Sequence, residues 1–260
     1  MDLGIRGRKA IVCASSRGLG LACATALARE GCEVIINGRH ADSLAEAVAG
    51  ILRDTGSNKM RAVQADINTE AGRAALVAAC PEADILINNN EGPKPGKLED
   101  WDHAAWLQAL EANMLAPILL IRALLPGMRA RGFGRIVNIT SAMVKAPRPH
   151  QGLSTSARTG LTAFSKAMSL EAAVDNVTIN NLLPERFDTD RQRVMAERMM
   201  KLQGITREQA RAQIADSIAA KRFGRPNEFG DTCAFLCSVQ ASFMSGQNIQ
   251  LDGGSYPGLI

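Results

Sequence analysis

Ser15, Ser16, Arg17, Gly18, Leu19 and Gly20 directly follow the short apolar run Ala10 to Cys13, and Leu19, Ala22, Cys23, Ala26 and Leu27 then repeat at helical spacing up to Gly31. A buried strand, a glycine turn and a helix, in that order, suit phosphate chemistry. The unpaired N–H groups and positive dipole end of the helix attract an anion, and Gly18 and Gly20 let a pyrophosphate and the neighbouring strand come close. A second short strand, Glu33 to Asn37, ends at Gly38 and Arg39. An acidic residue there would hold the ribose 2′-hydroxyl of an adenine dinucleotide, whereas an arginine suits a 2′-phosphate. Arg39, with Arg17 in the turn, therefore favours NADP (NADPH) over NAD; the alternative is two solvated surface arginines. The strand Asp84 to Ile87 runs into Asn88, Asn89, Asn90, Glu91, Gly92 and Pro93, polar and turn residues where open α/β sheets bind ligands.

Positioning these residues requires a regular alternation of strands and helices. Ala41 to Thr55 reads as a helix with Leu44, Val48, Ile51 and Leu52 on one face, followed by a strand Met60 to Ile67 carrying Asp66, and a helix to Ala79. A long helix from His103 to Arg131 carries Asn113 in its middle, and the strand Gly134 to Thr140 delivers Ser141 into a proline-punctuated loop with Lys145, Arg148 and His150. A helix from about Gly152 to Ala173, the strand Val177 to Leu183 ending at Pro184, a helix around Glu228 to Cys237 and a last strand Asn248 to Leu251 complete the pattern. Strands alternating with helices specify βαβ units and a parallel sheet, hence a single doubly wound α/β domain over residues 1–260. The methionine-rich, basic segment at about 186–220, with Arg186, Arg191, Arg193, Arg198 and Lys201 beside Met195, Met199 and Met200, reads as a mobile helical lid over an apolar substrate with an anionic end, or as a solvated amphipathic helix.

Composition narrows the classes. Of the 260 residues, 46% are hydrophobic and 22% charged, ordinary for a globular chain with one sizeable core. The 30 basic and 26 acidic side chains leave +4 without a basic run, which sets nucleic acid aside and leaves at most a welcome for anionic ligands. No stretch reads as a membrane span and the first residues are too polar for a signal peptide, so a cytoplasmic protein is expected. The six cysteines lack zinc-site spacing and are expected to be free, with no metal bound.

SSRGLG at 15–20, Asp66, NNNEGP at 88–93, Asn113, GRIVNITS at 134–141, VTINNLLP at 177–184 and LDGG at 251–254 together resemble the short-chain dehydrogenase/reductase family across essentially the whole chain, nearest to its 3-oxoacyl-[acyl-carrier-protein] reductase branch. The resemblance implies a Rossmann-type sheet of about seven parallel strands and a homotetramer or homodimer acting on a small-molecule substrate. Its interfaces would be formed by the helices at 103–131 and 154–173 and by the C-terminal strand region. It also implies cofactor contacts from Ser15, Ser16, Arg17, Gly18, Leu19 and Gly20 at the pyrophosphate, Arg39 at the 2′-phosphate, and Asp66 and Ile67 at the adenine. Asn88 and Asn90 would lie at a ribose, and Pro184 and Thr189 at the nicotinamide.

The same resemblance implies catalytic roles for Ser141 and Asn113, but the family's tyrosine and lysine are replaced by Ser154 and Arg158. A serine hydroxyl is a far weaker acid than a phenol, and an arginine stays protonated, so Arg158 is left at most a ribose contact. His150, or Tyr256 if the tail folds over the site, could donate the proton instead. Ala14 stands where the turn normally has glycine, and is expected to keep φ below zero. Glu91 and Glu185 replace small residues on loops at neighbouring strand ends. They read either as an acid–base pair flanking Ser141 or as carboxylates ion-paired with Lys94, Arg148 or Arg186. Three functions stay open: an NADP(H)-dependent carbonyl reductase or alcohol dehydrogenase with an atypical proton donor; a non-redox lyase, dehydratase or isomerase using Glu91 and Glu185; and a catalytically silent NADP(H)-binding protein.

Overall fold

The computed structural model describes residues 1–259. Strands β1 (Lys9–Val12), β2 (Glu33–Gly38), β3 (Met60–Gln64), β4 (Ile85–Asn88), β5 (Gly134–Ile139), β6 (Val177–Pro184) and β7 (Asn248–Leu251) form one seven-stranded sheet in the order β3-β2-β1-β4-β5-β6-β7. Every pairing is parallel. The order reverses between β1 and β4, so the loops leaving their carboxyl ends part to opposite sides and open the crevice in which such sheets bind ligands.

Alternate strand residues face opposite helical layers, which is why the inner strands read as continuous apolar runs. One face buries Val12, Val34, Ile36, Ile85 and Ile87 beneath α1 (Gly18–Arg29), α2 (Ala41–Thr55) and α9 (Pro226–Leu236). The other buries Ile11, Ile35, Leu86, Ile136 and Ile179 beneath α3 (Glu70–Ala79), α5 (Ala116–Ala130) and α6 (Gly152–Ala172). The basic segment folds as two helices, α7 (Asp190–Gln203) and α8 (Arg207–Asp216), around a small cluster of Ala196, Ala210 and Ile214.

Three expectations are corrected. β3 stops at Gln64, so Asp66 and Ile67 lie in the following loop, where Asp66 Oδ1 accepts from Asn68 N–H at 3.0 Å. The long helix is interrupted: α4 (His103–Leu110) passes through a π turn, Glu111–Leu115, into α5, and the extra residue per turn falls at Asn113. Taken together with its π turn, the run His103–Ala130 is long and apolar enough by composition to cross a membrane, where the sequence reading saw no such stretch. Its apolar residues Leu120, Ile121, Leu124 and Met128 are instead buried against the sheet.

The six cysteines are free and buried. Burial in apolar surroundings pushes the Cys13 and Cys32 thiols up to about 12; a hydrogen bond with Cys23 and burial raise Cys233 well above the usual range, and a hydrogen bond with Cys233 and burial do the same for Cys237.

Candidate active site

The glycine turn is built by fitting backbone against backbone. A Cβ on Gly20 would meet Ala14 O at 2.5 Å and Asn89 Nδ2 at 2.8 Å, so only glycine closes the turn. Gly18 has φ +60 and open space beyond it, and no side chain caps the first turn of α1. Free N–H groups, the helix dipole and an unobstructed approach are what a pyrophosphate requires. Arg17 at the helix start is exposed and has no ion-pair partner among the described residues. Ala14 overturns its expectation: its φ is +44, a left-handed conformation that costs an alanine strain. The turn holds it there through Asn37 Oδ1, which accepts from Ala14 N–H at 3.3 Å, and Asn89 Nδ2, which donates to Ala14 O at 3.0 Å.

Two serines of the turn divide in role. Ser15 is fully buried; its hydroxyl donates to Val12 O and accepts from Asn37 N–H, tying β1 to β2. Ser16 is half-buried beside Gly38, at the end of β2. Arg39, the next residue, is half-exposed and pairs with Glu91 at 3.0 Å. Glu91 thus finds an arginine the sequence reading had not matched to it. Glu185 finds Arg148 at 2.7 Å and Arg186 at 3.7 Å, two of the expected partners. The two carboxylates are therefore committed to arginines on opposite sides of β1 and β4, and they form no shared acid–base pair.

Asn88, expected at a ribose, donates its side-chain Nδ2 to the neighbouring strand. Register places Asn88, Asn138, Asn181 and Asn248 side by side on β4, β5, β6 and β7. Their amides join as a buried ladder: Asn88 Nδ2 donates to Asn138 Oδ1 (2.8 Å), Asn138 Nδ2 to Asn181 Oδ1 (3.0 Å), and Asn181 Nδ2 to Asn248 Oδ1 (2.8 Å). Buried polar groups this linked rigidify the floor of the crevice, because removing one strands its neighbours. Sequence reasoning missed the ladder, because its members sit at different places in their strands, from the last residue of β4 to the first of β7, and only the register aligns them. Asn90 is likewise structural, bridging Asn68 and the Ala112 carbonyl. Asn113 Nδ2 donates to Glu91 O at 3.3 Å, while Asn88 Oδ1 and Asn113 Oδ1 have no protein partner and line a small cavity with Arg158 that suits a water molecule.

Ser141 leaves the end of β5 with its Oγ accepting from Met143 N–H at 3.2 Å, which leaves the hydroxyl proton to be donated outward. Ser154 and Arg158 lie one turn apart on α6, both buried, with Arg158 Nε donating to Ser154 Oγ at 3.2 Å. Arg158 Nη1 donates to the carbonyls of Ile139 and Thr140 at 2.7 and 2.9 Å, so the guanidinium is drawn onto the end of β5. Burial and the nearby Arg191 cation lower its pKa to about 10, still high enough to keep the charge at neutral pH. His150 is exposed in a short 3₁₀ turn, and its side chain makes no hydrogen bond among the described residues. Tyr256 folds back over the loop that follows Ser141, its ring centroid 5.6 Å from Lys145 Nζ. Thr189 starts α7 and lines, with Gly18, a cleft of about 610 Å³ between α1, α7, α8 and α9, which brings these two expected cofactor residues to one opening. Pro184 ends β6 beside Leu251.

Comparison with known proteins agrees with this geometry. A family model described as enoyl-(acyl carrier protein) reductase matches residues 13–256. NADPH-dependent reductase BacG of Bacillus subtilis is 31% identical over 252 residues, 95% of this chain and 97% of that one. 3-oxoacyl-[acyl-carrier-protein] reductase FabG of Vibrio cholerae is 30% identical over 98% of this chain and 99% of that protein. The crystal structure of L-sorbose reductase from Gluconobacter frateurii, complexed with NADPH and L-sorbose, superposes with a TM-score of 0.93 at 30% identity, covering 100% of both chains. Strand order, glycine turn and chain-long similarity converge, and the chain belongs to the short-chain dehydrogenase/reductase family.

Proposed function

We propose that the chain is an NADP(H)-dependent oxidoreductase of the carbonyl reductase or alcohol dehydrogenase type, acting on a small molecule with a proton donor other than the family's tyrosine. The observation that carries the reading is the open, side-chain-free start of α1 behind Gly18 and Gly20, at the point where the strand order reverses. Arg17, Gly18, Leu19 and Gly20 would hold the pyrophosphate, Arg39 the 2′-phosphate, Asp66 and Ile67 the adenine, and Thr189 and Pro184 the nicotinamide end. When bound, NADPH supplies the hydride that reduces a carbonyl carbon and leaves as NADP⁺.

The chain's own contribution is orientation, polarisation and a proton. Ser141 donates its hydroxyl proton as a hydrogen bond to the carbonyl oxygen and stabilises the charge developing there. Ser154, held by Arg158 Nε, is no general acid. The proton is assigned to the rim of the Ser141 loop, to Tyr256 or His150, both side chains with acid–base aptitude. Ion pairing of Glu91 and Glu185 with arginines favours this reading over carboxylate-driven lyase chemistry. Exposed Leu107, Leu115 and Leu170 on the α4, π-turn and α6 surfaces fit assembly as a homodimer or homotetramer. Free thiols fit a reducing cytoplasm.

Calorimetric titration with NADPH, NADP⁺ and NAD⁺ tests the reading. Micromolar binding that prefers the phosphorylated forms, followed by loss of NADPH absorbance on a ketone screen, supports it. Absence of binding by all three overturns it.

A further inference from the structure

Arg158 and Arg191 both approach Gly92. A Cβ built on Gly92 would lie 3.1 Å from Arg191 Nη1 and 3.3 Å from Arg158 Nη2, so two guanidinium groups come close to one point beside this glycine. Arg158 is 7% exposed, and its Nε and Nη1 are already spent on Ser154 and the end of β5. Its Nη2 donates to nothing among the described residues, nor does the Arg191 guanidinium. Neither guanidinium forms an ion pair with a carboxylate among the described residues, and the one neighbouring charge that acts on Arg158 is Arg191, which repels it. Other arginines around the crevice do have such partners, Arg39 with Glu91 and both Arg148 and Arg186 with Glu185. A buried cation facing a second cation without an anion between them is unfavourable unless a ligand supplies the negative charge.

We propose that Arg158 and Arg191 bind the carboxylate of the substrate, and that the substrates are oxo acids or their hydroxy-acid counterparts. The inference rests on the reductase reading above and names the substrate class for that site. Arg158 stands one helical turn from Ser154 and reaches the end of the strand that delivers Ser141. A carboxylate held there places the remainder of a short acid along the Ser141 loop. Arg191 lies in the first turn of α7, so the anion joins the helical segment 190–216 to the loop after β4. The free Nη2 of Arg158 and the Arg191 guanidinium can each donate to one oxygen of a carboxylate, giving two charge-assisted hydrogen bonds to one anion. A phosphate would bring more oxygens and a larger hydration shell than the remaining donors can replace. The reaction balances simply: hydride from NADPH adds to the ketone carbon, a proton adds to its oxygen, the ketone is reduced to an alcohol and NADPH is oxidised to NADP⁺, while the carboxylate is unchanged.

Calorimetry with acetoacetate, its methyl ester and inorganic phosphate, each titrated into wild type and Arg191→Gln with and without saturating NADP⁺, tests the assignment. Arg191 is exposed, so the variant folds, and a wild-type NADP⁺ titration run alongside reports separately on the cofactor reading. The expected result is acid binding that is at least about tenfold weaker in Arg191→Gln, with ester and NADP⁺ affinities unchanged, as for loss of one charge-assisted contact. Acid and ester binding alike in the wild type, acid binding indifferent to Arg191, or phosphate binding more tightly than acetoacetate at the same residue would each overturn it. Failure of NADP⁺ to bind while the acid still depends on Arg191 would sink the reductase reading and leave the carboxylate site standing.

Discussion

The two ends of the crevice were built under different rules. On the β1–β2 side the chain keeps the family's pattern: a glycine turn with an open helix start and two arginines, Arg17 and Arg39, at the surface. On the β5–β6 side stand Ser154 and Arg158, where the family resemblance leads one to expect a tyrosine and a lysine, and the guanidinium is bound to strand-end carbonyls. Phosphate recognition depends on backbone N–H groups and fixed positive charge, which tolerate side-chain drift. Proton transfer depends on one group of suitable acidity at one place, which does not. The cofactor end can therefore persist while the chemical end is rebuilt around a different substrate.

The sharpest way to break this contrast is to restore the family pair. Ser154→Tyr with Arg158→Lys is expected to raise the NADPH-dependent reduction of a neutral ketone by about 10²- to 10⁴-fold, the usual worth of a positioned general acid, as followed by NADPH absorbance. No gain would mean that the proton end is blocked for reasons beyond these two residues. Ser141→Ala should lower kcat on the true substrate by about 10²- to 10³-fold with NADPH affinity unchanged, since only developing charge is affected. An unchanged kcat would remove Ser141 from the chemistry.

At the cofactor end, Gly20→Ala should weaken NADPH binding by about 100-fold in calorimetry, because its Cβ displaces the backbone it meets and each 1.4 kcal/mol costs tenfold. Arg39→Ala should weaken NADPH by about tenfold while leaving NADH unaltered, one charge-assisted contact to the 2′-phosphate being lost. The smallest effect carries the opposite sign. Arg39 and Glu91 form an exposed pair, worth less than about 1 kcal/mol, which a 2′-phosphate must displace, so Glu91→Gln should tighten NADPH by about threefold and leave NADH alone. Weaker NADPH binding in that variant would mean that Glu91 positions Arg39 rather than competing for it.

Much of the molecule was legible residue by residue. The strand, turn and helix around Gly18 and Gly20 and the alternation that specifies a parallel sheet follow from residue type and spacing, because backbone geometry and burial act locally. What went unread depended on contacts between distant parts of the chain. Ala14 adopts φ +44 because Asn37 and Asn89, from two other strand ends, hold its peptide groups. Asn88 Nδ2 is taken by Asn138 because β5 presents that residue in register beside it. Arg39 meets Glu91 because the loops after β2 and β4 approach across the crevice.

Periodicity, glycine placement and apolar runs, then, determined the alternation of strands and helices and the glycine turn, since each is a property of a few consecutive residues. Only the tertiary structure decided the partners of the charged and amide side chains. A guanidinium or a carboxamide takes whichever acceptor the fold brings within about 3 Å, and residues far apart in the chain supply most of those acceptors. Hence Arg158 and Arg191, 33 positions apart in the sequence, face one glycine.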